Sequence, residues 1–305
     1  MKRAHSMENS QYRSKNCKVV SESSIELSDL GLSSQYKEMI DGENTLPRES
    51  EPVIPLTVRF SDCDLPQFIR MAAGFGTDRY AYAVTPNVDH LLRYCDDAAF
   101  RDLYRSAGFV LLDSRFLAQL LRLTGLRLPT CPGSDVTAAL LDDVVGGDDV
   151  VVVIGGSEDQ ARILERRYGL KGLRHYNPPM GFIHDPAAVE ECLQFIERAS
   201  PFRFCLLAVG CPQQELIARA LLTRGRARGL ALCVGASINF LTGTERRAPA
   251  WMQRAGIEWL FRLMQNPTRL AKRYLLRGPR IFLFLPRLKF ELRTPVSGAL
   301  EAAGT

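Results

Sequence analysis

The feature that most constrains this fold is the alternation of short apolar runs with helical patterns between residues 55 and 245. The apolar runs predict buried strands, and the segments between them place apolar residues at helical spacing. This alternation is typical of a parallel sheet covered by helices on both faces. We therefore predict an α/β fold with a Rossmann-like parallel sheet, built on Tyr80–Val84, Phe109–Leu112, Val150–Ile154, Phe204–Val209 and Leu230–Val234.

Polar and glycine-containing loops follow these predicted strands. In open α/β sheets ligands bind beyond the carboxyl ends of the strands, so we expect the loops to converge on one site. A further loop, Gly133-Ser134-Asp135, has no predicted strand directly before it. The loops that follow strands are Thr85-Pro86-Asn87, Asp113-Ser114-Arg115, Gly155-Gly156-Ser157, Gly210 to Glu215 and Gly235 to Asn239.

Charge and composition divide the chain into four parts. Residues 1–54 are polar and aperiodic, with seven Lys/Arg against nine Asp/Glu, and predict a disordered leader. Residues 55–245 form the predicted α/β domain. Residues 246–293 hold twelve Lys/Arg against two Glu among large apolar groups, which predicts a basic, amphipathic, helical appendage facing phosphates, nucleic acid or a lipid surface. A solvated helical face is the alternative. Residues 294–305 are predicted to form a C-terminal tail.

Several protein classes conflict with the composition. No apolar run is long enough to span a membrane, and the N-terminus lacks the apolar core of a secretory signal, so we expect a cytoplasmic protein. The eight cysteines are scattered, with no C-x-x-C pair and no histidine at metal-ligand spacing. A disulfide framework or a metal site is therefore not expected.

The Gly155-Gly156-Ser157 loop lies between a predicted strand and a predicted helix. Glycines there let a phosphate approach backbone N–H groups at the helix N-terminus. A plain tight turn explains them equally well, since the loop is neither a dinucleotide fingerprint nor a P-loop.

Two aspartates precede predicted helices. Asp113 is either an N-cap or a general base directed into the crevice, where burial would raise its pKa. For Asp135, which follows Ser134, the capping interpretation is favoured.

The segment Gly210-Cys211-Pro212-Gln213-Gln214-Glu215 begins a predicted helix with two amides and a carboxylate. Pro212 suits the first turn of a helix, and uncharged amides suit sugar hydroxyls. Simple helix-start chemistry is the alternative. The four histidines form no Ser-His-Asp arrangement, and none is favoured as catalytic.

Taken together, these segments resemble the WecG/TagA/CpsF glycosyltransferases, bacterial enzymes that build cell-surface polysaccharides. The resemblance covers about residues 56–280, and the run from Arg247 to Trp259 is its most specific part. Many relatives have Asp where this chain has Asn239, and Asp-Gly where it has Asp113-Ser114. The segments that carry the resemblance are Thr85-Pro86-Asn87, Asp113, Gly133-Ser134-Asp135, Pro178-Pro179, Gly210 to Glu215, Arg247 to Trp259, Arg262-Leu263, Asn266 to Arg269 and Lys272 to Tyr274.

The resemblance implies an inverting, metal-independent transfer of a sugar from a UDP-sugar donor to a polyprenyl-diphosphate-linked sugar acceptor. N-acetylmannosamine, its uronic acid and glucose all remain open as the donor sugar. Asp113 is the implied base, and Thr85, Asn87 and Gln214 the implied pocket residues. Arginines would neutralise the leaving diphosphate in place of a cation, so no cofactor is expected. The other implied substrate-binding residues are Gly133, Ser134, Asp135, Gly155, Gly156, Ser157, Gly210, Gln213, Glu215, Asn239, Arg262, Arg269 and Arg273.

The resemblance also places the appendage at the cytoplasmic face of the inner membrane, as a peripheral attachment to anionic lipid. Homo-oligomerisation stays open, and no recognised nucleic-acid module is present. The alternative from another class is a catalytically weak nucleotide-sugar-binding partner in a polysaccharide assembly complex.

Overall fold

The computed structural model describes residues 56–123 and 125–294. The predicted leader at 1–54 and residues 295–305 of the predicted tail lie outside them. No helix in the described ranges is long and apolar enough to cross a membrane.

The main sheet has six strands, all parallel, and confirms the predicted α/β class. The strand order is β3-β2-β7-β6-β4-β5, so the carboxyl ends of all six lie at one edge. Its strands are β2 (Tyr80–Val84), β3 (Phe109–Val110), β4 (Val150–Ile154), β5 (Gly172–Tyr176), β6 (Phe204–Leu207) and β7 (Gly229–Cys233).

Helices connect these strands. Eight α-helices of the described ranges lie before β7, with a 3-10 turn at Phe182–His184: α1 (Leu65–Gly74), α2 (Val88–Asp96), α3 (Ala98–Arg105), α4 (Arg115–Arg122), α5 (Gly133–Asp143), α6 (Glu158–Tyr168), α7 (Pro186–Arg198) and α8 (Gln213–Arg224). After β7 come α9 (Ser237–Leu241), α10 (Ala250–Arg254), α11 (Glu258–Gln265), α12 (Pro267–Ala271), a π-helical turn (Lys272–Arg277) and α13 (Ile281–Phe284).

The hydrophobic core lies on both faces of the main sheet. Along β6, Cys205 and Leu207 belong to one buried cluster, whereas Phe204 and Leu206 belong to the other. Because successive strand residues point to opposite faces, this alternation means that helices cover both sides. The sheet is therefore a rigid support for the loops at its carboxyl edge.

A second sheet pairs the two ends of the described chain. β1 (Leu56–Ser61) and β8 (Leu288–Arg293) run parallel, with Leu56 opposite Leu288. The predicted helical appendage at 246–293 therefore ends in a strand and is not helical throughout. In Leu288 to Arg293 apolar residues alternate with charged ones, the period of a half-buried strand, and Phe290 stacks on Phe60 at 6.3 Å.

Candidate active site

Asp113 lies just beyond β3, at the carboxyl edge of the sheet. It does not cap the helix that follows it, because the hydroxyl of Ser114 accepts the hydrogen bond from Leu117 N. Instead, Oδ1 of Asp113 accepts a 2.7 Å hydrogen bond from the backbone N–H of Gly133, the first residue of α5. Asp113 thus supplies a carboxylate to the N-terminus of a helix distant in sequence.

The protonation of Asp113 is set by opposing influences. Burial raises the pKa of its carboxyl, and this outweighs the Gly133 hydrogen bond and the positive charges of Arg262 and Arg273, which lower it. Oδ2 accepts no hydrogen bond from the described residues. A carboxylate of raised pKa with an unoccupied oxygen has the properties of a general base.

Two hydroxyls adjoin this carboxylate. A methyl group on Gly133 would lie 3.2 Å from Thr85 Oγ1, 3.3 Å from Ser237 Oγ and 3.7 Å from Asp113 Oδ1. The loops after β2, β3 and β7 therefore meet at this point, as the sequence predicts. Thr85 Oγ1 donates to the carbonyl of Cys233, and Ser237 Oγ donates to the carbonyl of Val234.

Asp135 does not have the helix-capping role that the sequence favours. It makes no capping hydrogen bond, and Pro132 occupies the N-cap position of α5. Its carboxylate instead accepts from Arg247 and, at 3.1 Å, from Arg115. Bound by two guanidinium groups, Asp135 anchors the start of the appendage to the α/β domain.

Asn87, an implied pocket residue, caps α2 and also contacts the appendage. Its Oδ1 accepts from the backbone N–H of Asp89 at 3.0 Å and from Arg273 at 3.1 Å. These two donors fix the orientation of the amide. The Nδ2 group of Asn87 has no acceptor among the described residues, and it is thus a donor for a ligand.

Gln214 is held at both ends of its buried amide. Its Oε1 accepts from the backbone N–H of Gly235 at 2.9 Å, and its Nε2 donates to Glu215 at 2.9 Å. The second N–H of Nε2 has no acceptor among the described residues. Asn87 and Gln214 therefore each keep a side-chain N–H without an acceptor, while Asp113 keeps a carboxylate oxygen without a donor.

Glu215, an implied substrate-binding residue, is buried at the start of α8, so the structure shows no surface by which it could touch a ligand. The residue is 0% exposed, and its Oε1 lies 3.6 Å from Nε2 of His90. Burial raises the pKa of Glu215 to about 7 and lowers the pKa of His90 to about 3. Gln213 and Gly210 do lie at the partly buried start of α8, where the sequence predicts a binding loop.

The group formed by His90, Cys211 and Glu215 brings three possible metal ligands within 4.8 Å of one another. Zinc accepts this donor set. However, His90 Nδ1 accepts a 3.2 Å hydrogen bond from the backbone N–H of Asn87. The proton of the neutral ring is therefore on Nε2, the nitrogen that faces Glu215, and a metal could bind there only if the Asn87 contact were lost. The geometry does not fit a metal ligand.

The Gly155-Gly156-Ser157 loop has a tight-turn geometry. A Cβ on Gly155 would meet the carbonyl oxygen of Ala208 at 2.9 Å, at a φ of +94° that favours glycine. Ser157 and Gln160 form a capping box at the start of α6. Since this box already uses two backbone N–H groups, fewer remain for a phosphate.

Asn239 links this loop to the appendage. Its Oδ1 accepts from Gln160 Nε2 at 3.0 Å, and its Nδ2 donates to Glu245 Oε1 at 3.3 Å. Glu245 also accepts from Arg269 at 2.9 Å and lies 3.9 Å from Arg262. The amide of Asn239 thus bridges the α6 N-terminus and a carboxylate that holds two of the predicted arginines.

Three arginines near Asp113 have incomplete hydrogen bonding. Arg247 Nε and Nη2, Arg262 Nε and Arg273 Nε are buried and have no acceptor among the described residues. All three interact electrostatically with Asp113. Buried guanidinium N–H groups without acceptors are costly, and an anionic ligand would satisfy them. Arg269 is more exposed and is held by Glu245.

The sequence alone does not single out several residues of this site. Arg247 lies in the basic region but is not among the predicted site residues, and Ser237 lies in a predicted loop without being singled out. Glu258 is a second partly buried carboxylate, in α11, and burial raises its pKa. The only sequence signal for Arg247 and Glu258 is the unusual segment that contains both.

The parallel α/β sheet, a candidate base at its carboxyl edge and arginines from a basic appendage suit a glycosyltransferase. Comparison with known proteins agrees. The "Glycosyl transferase WecG/TagA/CpsF family" matches residues 53–295, and the chain belongs to this family.

Two curated relatives share one name, "N-acetylglucosaminyldiphosphoundecaprenol N-acetyl-beta-D-mannosaminyltransferase". The relative from Bacillus subtilis (strain 168) is 29% identical over 181 residues, which cover 57% of this chain and 67% of the relative. The relative from Bacillus spizizenii (strain ATCC 23059 / NRRL B-14472 / W23) is 26% identical over 218 residues, or 69% of this chain and 82% of the relative. The chain is an enzyme of the glycosyltransferase class.

Proposed function

We propose that the enzyme transfers a sugar from a UDP-sugar to a sugar linked to polyprenyl diphosphate. The observation that supports this most strongly is the position of Asp113 beside Arg247, Arg262 and Arg273, which have buried N–H groups without acceptors. A base and an anion site side by side suit a reaction that deprotonates an acceptor hydroxyl and releases a nucleoside diphosphate. The names of the two relatives favour an N-acetylmannosamine donor and a diphospholipid-linked N-acetylglucosamine acceptor.

In the proposed mechanism, Asp113 takes the proton of the acceptor hydroxyl, and the resulting oxygen attacks the anomeric carbon of the donor. The bond to UDP breaks on the opposite side, so the configuration inverts. The arginine N–H groups bind the diphosphate as its negative charge grows, which lowers the transition-state energy. Asn87 Nδ2 and the remaining Gln214 N–H donate to oxygens of the sugars.

No step of this mechanism uses a metal ion, because guanidinium groups take the role of a divalent cation at the diphosphate. The direct test is a turnover assay with purified enzyme, a polyprenyl-diphosphate-linked N-acetylglucosamine and a panel of UDP-sugars. Product is analysed by mass spectrometry, and the anomeric configuration by NMR. We expect transfer from UDP-N-acetylmannosamine in preference to its uronic acid and UDP-glucose. The transfer rate should be the same with and without EDTA. UDP-sugar binding without any transfer would instead support the non-catalytic binding protein.

We further propose that the appendage attaches peripherally to an anionic membrane surface, where a lipid-linked acceptor resides. Large apolar side chains are exposed there, among them Leu276 at 70% and Leu283 at 74%, in a segment rich in arginine. Each basic residue near anionic lipid contributes about 1 kcal/mol, and apolar insertion adds to it.

Vesicle flotation tests this attachment. The wild-type enzyme should float with vesicles that contain phosphatidylglycerol, and not with phosphatidylcholine alone. The double variant Leu276→Ser/Leu283→Ser should lose most of this binding. Met180→Ser is the matched control, because Met180 is a fully exposed apolar residue outside the appendage. Equal flotation of the double variant and the control would refute the proposed surface.

A further inference from the structure

Glu215 has no role in the reaction proposed above, although it is a carboxylate buried completely beneath the site. Its Oε1 accepts from Gln214 Nε2 at 2.9 Å, and its Oε2 is buried without a hydrogen-bond partner among the described residues. Burying a carboxylate costs folding free energy unless hydrogen bonds or opposite charges compensate it. The position of this one suggests that it orients its neighbours.

The first neighbour is the Gln214 amide. A glutamine side chain can usually turn by 180°, which exchanges its oxygen and nitrogen. Here the N–H of Gly235 requires the oxygen at one end, and the Glu215 carboxylate requires the nitrogen at the other. With both ends fixed, the remaining N–H of Gln214 points in one defined direction.

The second neighbour is His90. Its Nδ1 accepts from the backbone N–H of Asn87, so its Nε2 carries a proton and faces Glu215 Oε1 at 3.6 Å. The histidine therefore joins Glu215 to the N-cap of α2, where Asn87 Oδ1 accepts from Arg273. Through His90, the same carboxylate contacts the turn that carries the second amide donor of the site.

We propose that Glu215 is a positioning residue of the transferase, which fixes the donor N–H of Gln214 directly and supports Asn87 through His90. This inference rests on the function proposed above. Glu215 contacts no substrate, and it acts on catalysis chiefly through Gln214. Loss of the carboxylate should lower kcat and leave the KM of the donor nearly unchanged, because the diphosphate-binding arginines stay in place.

A double-mutant cycle tests the proposal. Glu215→Gln should lower kcat about 10-fold or more, with KM values within about 3-fold of the wild type. In a Gln214→Ala background the same change should alter kcat no more than about 3-fold, because only the support of Asn87 through His90 remains. Glu197→Gln is the matched control, because Glu197 is a mostly buried carboxylate that pairs with Arg224 at the other end of α8. It should reduce thermal stability but not kcat.

A second readout does not depend on activity. In protein labelled with 15N-glutamine, the side-chain amide signal of Gln214 is assigned by its loss in Gln214→Ala. Glu215→Gln should shift this signal and speed its exchange with water, whereas Glu197→Gln should not.

The outcomes separate the two proposals. Absence of transfer by the wild type, with the NMR response intact, counts against the function and not against the positioning of Gln214. A wild-type kcat in Glu215→Gln, or an equal fall in both backgrounds, would overturn the positioning role. Stoichiometric zinc in the purified protein, lost in Glu215→Gln, would overturn it too, in favour of a metal site.

Discussion

The backbone N–H of Gly133 donates a 2.7 Å hydrogen bond to Oδ1 of Asp113, which joins the N-terminus of α5 to the carboxyl end of β3. The helix N-terminus stabilises the ionised carboxylate, and burial opposes it. Burial prevails, so the pKa of Asp113 is raised. The carboxylate is thereby held in one orientation with Oδ2 available to an acceptor hydroxyl.

Gly133→Ala should damage activity more than stability. The new methyl group would lie 3.2 Å from Thr85 Oγ1 and 3.7 Å from Asp113 Oδ1, within the space where the reacting groups meet. We expect kcat/KM to fall about 10-fold or more, and the free energy of unfolding to fall by about 1 kcal/mol. Gly74→Ala is the control, since a Cβ there meets nothing within 4 Å. If both variants keep wild-type kcat/KM, the reacting groups meet elsewhere.

The unsatisfied arginines should account for nucleotide binding. Replacing Arg262 or Arg273 by Lys keeps the charge but removes the planar set of donors, and we expect the Kd of UDP to rise about 10-fold or more. Arg162→Lys should change it less than 2-fold, because Arg162 is exposed and paired with Glu158 on α6. Isothermal titration calorimetry measures these changes. Similar Kd values in all three variants would mean that UDP binds elsewhere.

Asn239→Asp should destabilise the junction with the appendage. Asn239 Nδ2 donates to Glu245, and an aspartate would place two carboxylates at about this 3.3 Å separation. We expect a loss of about 1 kcal/mol, which for a chain of this size lowers the Tm by about 2–4 °C. Asn239→Ala removes the hydrogen bond without adding charge and should cost less. A lower Tm for Asn239→Ala than for Asn239→Asp would show that Glu245 does not accept a hydrogen bond from Asn239.

Glu215 should make stability depend on pH. Burial raises its pKa to about 7 from 4.5, so the folded state retains a proton that the unfolded state has already released. The wild type should therefore lose stability as the pH rises from about 4.5 to 7, by roughly 3 kcal/mol from this group. His90, whose pKa is lowered to about 3 from 6.5, acts in the opposite sense, with stability lost as the pH falls below 6.5.

Comparison with Glu215→Gln isolates the carboxylate. The difference in unfolding free energy between variant and wild type should move in favour of the variant between pH 5 and pH 8. Urea denaturation at the two pH values measures it. A constant difference would mean that Glu215 titrates normally in the folded state.

Local pattern predicts five of the six strands of the main sheet and the loops that converge at its edge, but not β5, whose short segment Gly172–Tyr176 contains an arginine and a histidine and lacks an apolar run. Val150–Ile154 and Tyr80–Val84 are apolar runs next to turn signals, and Asp113 and Thr85 follow from the rule for strand ends. The alternating pattern of β8 fits a strand, but its partner β1 lies at the other end of the described chain, and local spacing does not report which segments pair. Truncation of the chain after Ala248 would therefore remove β8 from its pairing with β1, as well as the exposed apolar side chains of the appendage.

The same limit applies within the site. Gln213-Gln214-Glu215 has the residues of an ordinary helix start, and only the packing of α8 against α2 and β7 shows that Glu215 is turned inward. The capping interpretation of Asp135 failed for a similar reason, since Arg247 is far away in sequence. Long-range electrostatic partners are set by tertiary structure and are not visible in local spacing.

The most direct test of the proposed reaction is the turnover of Asp113→Asn beside its affinity for UDP. The asparagine keeps the size of the side chain but cannot accept the acceptor's proton, and a positioned base contributes roughly 10²–10⁴-fold in rate. We expect kcat to fall by about that factor with the Kd of UDP within about 3-fold of the wild type. A kcat within a few-fold of the wild type would contradict the role of Asp113 as the base.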